Sequence, residues 1–178
     1  MAAPDWEDGD QQGADGDAPG DHVRRLDDAL ARCYRHLGRR EHSAAELRRR
    51  LERARLPVAV IDEAIAIVTE QGYLDDARYA RLTAEDRRAI DGWGVERIRD
   101  RLEAAGVERD VIDEALSRFD SASERAAAEA LLRRRCTLPL ADNRQRQRAF
   151  GILIQRGFDS DLAYEVVRSA AGGLDDAA

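Results

Sequence analysis

The chain aligns with itself, without a gap, at one fixed offset of 51 residues. IDEAI at Ile61 to Ile65 returns as IDEAL at Ile112 to Leu116 and, in degenerate form, as AYEVV at Ala163 to Val167. The same step relates Leu51, Leu102 and Leu153, then Leu47, Ile98 and Ala149, and pairs Gly106 with Gly157. One pentapeptide match could arise by chance, but a shared offset over so many positions marks an internal triplication. A unit of about fifty residues buries its apolar face by stacking on its neighbours, so the expected product is a row of small units with a long recognition surface.

Composition narrows the kind of unit. Of 178 residues only 5% are aromatic and 37% are charged, which leaves Ala, Leu, Val and Ile as core material and points to helices rather than a β-sandwich. All 29 basic residues are arginine, a uniformity that fits a GC-rich genome better than selection at each site. The net charge of −7 is set by the leader, where Asp5, Glu7, Asp8, Asp10, Asp15, Asp17 and Asp21 stand without a base. From residue 22 onward 29 acids face 29 arginines, so the body is neutral and an anionic partner is not excluded. Cys33 and Cys136 have no CxxC spacing, and Cys33 with His36 one turn later reads as a helical pair rather than a metal site. The chain shows no signal-type apolar segment and no run of 18 apolar residues. A soluble cytoplasmic protein without cofactor, metal or membrane contact is expected.

Helical periodicity recurs in every unit. Ile61, Ala64, Ile65 and Val68 form an i, i+3, i+4, i+7 stripe that is repeated at Ile112, Ala115, Leu116 and Phe119 and at Ala163, Val166, Val167 and Ala170. A middle helix carries Leu47, Leu51 and Ala54, then Ile98, Leu102 and Ala105, then Ala149 and Leu153. Leading helices are expected near 22–39, 75–90 and 123–135. Ser43 with Glu46 reads as a capping box, and Pro57 suits the start of the following helix. Gly106 and Gly157 fall where a middle helix should end in the left-handed region. Gly72 closes the first unit, and Asp75 or Asp76 caps the next helix. Gly92 and Gly94 flank Trp93 in a connector, and Pro139 breaks a longer one. No period-2 pattern appears, so the expected fold is all-α: three tandem three-helix repeats in an elongated, curved row. Residues 22–72, 73–122 and 123–171 form the repeats, between a disordered acidic tail at 1–21 and a disordered C-terminal tail at 172–178.

Catalytic parts are missing. Ser43 and His42 are adjacent and cannot form a nucleophile–base pair, no phosphate-loop motif occurs, and without lysine none can. Three groups of arginines remain: Arg48, Arg49, Arg50, Arg53 and Arg55; Arg133, Arg134 and Arg135; Arg144, Arg146 and Arg148. They read either as one basic stripe that follows a phosphate backbone, or as solvated faces paired with Glu46, Glu52 and Glu129. Tyr73, Leu74 and Tyr79, at a unit junction, read either as inter-repeat packing or as partner-facing anchors.

HSAAELRRRL at His42 to Leu51, followed by GYLDDARYA at Gly72 to Ala80, resembles the signature of the RecX family of bacterial regulators of the RecA recombinase. Gly94, Arg97, Ile98 and Leu102, and the closing Arg156, Gly157 and Phe158, extend the resemblance over residues 24 to 170. It implies three tandem three-helix repeats and a non-enzymatic modulator that binds RecA and its filament on single-stranded DNA, inhibiting ATPase, strand exchange and coprotease activities in recombination, repair and the SOS response. The expected contacts with RecA or DNA are Arg48, Arg49, Arg50, Arg53, Tyr73, Asp75, Asp76, Tyr79, Arg133, Arg134, Arg135, Arg144, Arg146 and Arg148, on a monomer. The acidic leader lies outside the family core and has the charge to compete with DNA for the same arginines. The alternative is a free-standing DNA-binding protein built of helix-turn-helix-like units.

Overall fold

The computed structural model describes residues 19–172. Nine α-helices follow one another: α1 Pro19–Leu37, α2 Ala44–Arg53, α3 Val58–Glu70, α4 Asp76–Asp86, α5 Val95–Ala105, α6 Arg109–Leu116, α7 Ser121–Arg135, α8 Asn143–Gln155 and α9 Ser160–Ala170. No strand occurs among the described residues, and the fold is all-α as expected. α4 does not end cleanly but runs on as a π-helical turn, Arg87–Asp91, which the sequence did not signal. The acidic leader is shorter than expected. α1 already begins at Pro19, and Asp21 in its first turn pairs with Arg24 at 2.8 Å and Arg25 at 3.6 Å, the favourable placement of an acid at a helix N-terminus. The disorder expected for 1–18 and 173–178 concerns residues outside the described ones.

All the extensive helix packing lies within three groups, α1–α3, α4–α6 and α7–α9, each around its own core. The 51-residue register fixes those cores. Leu47, Ile98 and Ala149, then Leu51, Leu102 and Leu153, then Ile61, Ile112 and Ala163 are buried at equivalent points. The third group has alanine at two of these places. There Leu140, from the connector between α7 and α8, and Phe158 fill the space, with the Leu140 amide fixed to the Ala170 carbonyl at 3.0 Å.

The middle helices α2, α5 and α8 all end in one way. Leu56, Val107 and Phe158 donate their amides back to the carbonyls of Leu51, Leu102 and Leu153 at 3.4, 3.2 and 3.2 Å. This is a Schellman closure, which needs the preceding residue in the left-handed region: Arg55, Gly106 and Gly157 have φ of 58°, 80° and 78°. Two of the three ends then receive the start of the previous unit's middle helix. The Ser43 hydroxyl at the head of α2 donates to the Ala105 carbonyl at 2.7 Å, and the Gly94 amide at the head of α5 donates to the Arg156 carbonyl at 2.7 Å. Ser43 and Gly94 are one repeat apart, as are Ala105 and Arg156. The middle helices therefore meet head to tail, α5 against α2 and α8 against α5, each positive N-terminus facing a negative C-terminus.

Close approach at these seams explains the glycines. A Cβ on Gly157 overlaps the backbone nitrogen of Arg97, and one on Gly106 overlaps the Ala45 side chain. The equivalent Arg55 caps a helix on which no described unit docks, so a side chain is tolerated there despite the left-handed strain. Gly157→Ala should lower stability by about 3 kcal/mol, from left-handed strain plus displacement of packed backbone. Arg55→Gly should stay within about 1 kcal/mol of the parent, because relief of strain offsets added chain entropy. Urea unfolding of the two variants measures the contrast, and equal losses would contradict the seam.

Candidate interaction surface

Each seam is built from three kinds of contact. A carboxylate in the first turn of the next unit's leading helix takes the first amide of the middle helix: Asp76 of α4 accepts from the Ala44 amide at 2.8 Å, and Glu124 of α7 accepts from the Val95 amide at 3.3 Å. An arginine then closes the exposed carbonyls at the facing helix end. Arg49 donates to the Ala105 carbonyl at 3.2 Å, and Arg97 to that of Gln155. Buried polar groups complete the set. In the first seam Glu46 lies between His42 Nδ1 at 3.1 Å, Arg101 at 3.1 Å, Arg40 at 3.2 Å and the Tyr79 hydroxyl at 3.4 Å. In the second seam Arg88, presented by the π-helical turn, pairs with Glu124 and stacks over the rings of Phe119 and Phe158. Burial pushes the Arg88 guanidinium down to about 10, so it remains a cation at neutral pH.

Several residues expected to face a partner are thereby engaged by contacts within the molecule. Tyr79 is 3% exposed, in the core of the second unit, so it is no surface anchor. Asp76 and Arg49 are seam residues, and burial holds the Asp76 carboxyl above its ordinary range. Asp75 caps α4, accepting from the Arg78 amide at 2.8 Å. Arg48 pairs with Asp62 at 2.5 Å and Arg133 with Glu129 at 3.7 Å, while Arg134 leans against Gly92. Arg146 is half-buried. The single basic stripe does not form either, because the middle helix of the second unit presents Asp100 and Glu103 to solvent. Arg53, Arg135, Arg144 and Arg148 remain exposed on the two outer units, and Arg81, Arg97, Arg109 and Arg118 are exposed on the middle one.

Tyr73 does face solvent, at 56% exposure. Its ring meets Tyr34 edge to face at 5.5 Å, and the Tyr34 hydroxyl donates to Gln71 at 2.7 Å. Arg78 holds this loop rigid, donating to the carbonyls of Gly72 at 3.1 Å and Tyr73 at 3.0 Å while its guanidinium grips Glu41. Leu74, one residue on, turns into the core. Arg35, Arg39 and Arg40, outside the three arginine groups of the sequence, join Arg50 around His36 at the end of α1. Burial and then those four guanidinium charges hold the His36 imidazole below its ordinary value. The available signal was the Arg39–Arg40 pair directly after Gly38. Among the described residues no group of three or more His, Cys, Asp or Glu side chains converges as a metal site, and no helix is long and apolar enough to cross a membrane.

Comparison with known proteins gives one name throughout. The family model of the RecX first three-helix domain matches residues 29–66, and that of the RecX second three-helix domain matches residues 75–116. The chain is 37% identical over 150 residues to a regulatory protein RecX of Mycobacterium avium, covering 80% of this chain and 84% of that one. It is also 37% identical over 139 residues to that of Leptothrix cholodnii, covering 78% and 87%. The crystal structure of RecX from Lactobacillus salivarius superposes with a TM-score of 0.73 over 83% of this chain and 97% of that one, at 14% identity, which speaks for the fold alone.

The Glu46 cluster gives the first seam a pH dependence. Burial raises the carboxyl, but hydrogen bonds from Arg101 and His42 outweigh it and hold Glu46 below its ordinary 4.5. A folded-state value below the unfolded one stabilises the protein above pH 4.5, and this contribution disappears as pH falls through the folded value. Glu46→Gln should therefore be less stable than the parent by about 1.5 kcal/mol at pH 7, and the gap should narrow as pH falls below 4.5. Chemical denaturation across that range provides the check, and a gap independent of pH would count against the assignment.

Proposed function

The chain belongs to the RecX family, and from that premise we propose that it is a non-enzymatic regulator that binds the RecA recombinase and its filament on single-stranded DNA. Its effect is to inhibit the ATPase, strand-exchange and coprotease activities of RecA, in the cytoplasm and as a monomer, within recombination, DNA repair and the SOS response. The observation that carries this reading is the row itself: three units fixed head to tail, each with exposed arginines. Such a body suits a repetitive partner, because several weak contacts made at once multiply in effect. Exposed guanidiniums at Arg53, Arg135, Arg144 and Arg148 suit phosphate or carboxylate on the filament, and the rigidly held Tyr73 suits an apolar anchor at its side.

A RecA ATPase assay on single-stranded DNA, with this protein substoichiometric, tests the reading. Strong inhibition is expected. Arg144→Glu with Arg148→Glu should raise the concentration for half-inhibition about tenfold, the effect of losing one net charged hydrogen bond. Unchanged ATPase, together with tight binding to one duplex sequence in the absence of RecA, would reverse the conclusion in favour of a free-standing DNA binder.

A further inference from the structure

Arg35, Arg39 and Arg50 have no acidic partner among the described residues, and with Arg40 they surround His36 where α1 ends beside α2. This concentration of like charge is costly unless an anion covers it, since like charges within one Debye length repel. We propose that this patch is the docking site of the chain's own acidic leader, with Asp5 to Asp17 lying against Arg35, Arg39 and Arg50. The leader is thereby a built-in competitor for whatever anionic partner the patch meets.

Length, tethering and charge all favour this occupant. Eighteen residues precede Pro19, and extended they reach up to ~60 Å. The path along α1 from Pro19 to His36 is only about 26 Å, at 1.5 Å per residue. Six acids, Asp5, Glu7, Asp8, Asp10, Asp15 and Asp17, lie in that segment without a base. Asp21 is already committed to Arg24 and Arg25, so the charge left to the patch is that of the segment itself. The tether sets an effective concentration in the millimolar range, which makes a weak ionic contact competitive with a free ligand. The docking site shares only Arg50 with the arginines expected from sequence. Arg48 is held by Asp62 and Arg49 by the carbonyls of α5, so neither is available. The patch of the third unit lies at the other end of the row, and the cost of closing a loop grows with the span it must cover.

The proposal does not depend on the recombinase reading, and its test contains no recombinase. Heparin, a generic polyanion, is titrated against four full-length proteins: the parent; a leader variant with Asp5, Asp8, Asp10, Asp15 and Asp17 changed to Asn and Glu7→Gln; a patch variant with Arg35→Gln, Arg39→Gln and Arg50→Gln; and the combination. The patch residues are unpartnered surface groups, and matching thermal melts establish that all four fold. At 50 mM salt, neutralising the leader should tighten heparin binding about fivefold in the parent and less than twofold in the patch variant, and the difference should vanish at 300 mM salt as screening shortens to about 6 Å. An equal gain in both backgrounds means that the leader acts through net charge rather than by docking, and overturns the proposal. So does an identical affinity in all four proteins.

Discussion

The whole architecture depends on how a helix end is closed. The last carbonyls of an α-helix have no partner within the helix, and leaving them dry is costly. Here the ends of α5 and α8 are closed twice, by a Schellman turn from their own chain and by the head of the preceding unit's middle helix. The second closure demands close approach, to the Ala45 side chain at Gly106 and to the Arg97 backbone at Gly157, and this excludes a Cβ at either glycine. Because these bonds are directional, they fix how successive units are oriented; apolar packing alone leaves such units free to slide. The carboxylates of Asp76 and Glu124 add a further directional bond at each seam, by taking the first amide of the docked helix.

Charge in this molecule therefore serves two purposes that the sequence alone does not separate. Arg49, Arg88, Arg97 and Arg101 are spent on the seams, and Arg88 is buried deeply enough that removing Glu124 would strand a charge inside the protein, a loss of about 3–5 kcal/mol. Exposed pairs such as Arg48–Asp62 contribute about 0–1 kcal/mol and mainly remove a guanidinium from the set that can meet a partner. The arginines left over are spread over all three units.

How much was legible follows from the same distinction. The 51-residue offset carried the repeat, the core positions and the left-handed glycines, because periodicity and backbone conformation are local properties. It did not reveal what covers each helix. Asp76 looks like a surface residue in its own helix and becomes a seam residue only once the neighbouring unit is in place, while Tyr79 is covered by α5 and α6 of its own unit. The Arg35, Arg39 and Arg50 patch was hidden for the converse reason: two elements bring together residues that do not cluster in sequence. In the third unit, Ala149 and Ala163 weaken the apolar pattern, and Leu140 restores the volume from a connector that no periodicity could identify.

The repeat also explains why the row has two different ends. Head-to-tail contacts that do not close into a ring can in principle continue indefinitely. At one end the position that must be glycine for docking is Arg55, whose side chain stands where the next helix head would enter. At the other, α8 begins with Asp142 as its cap, three residues before the point one repeat after Gly94, and its own Asp142 carboxylate already takes the Gln145 amide at 2.7 Å. That extra turn occupies the place where a further unit would have to dock. Both ends are thus closed by local changes to the same device that joins the interior.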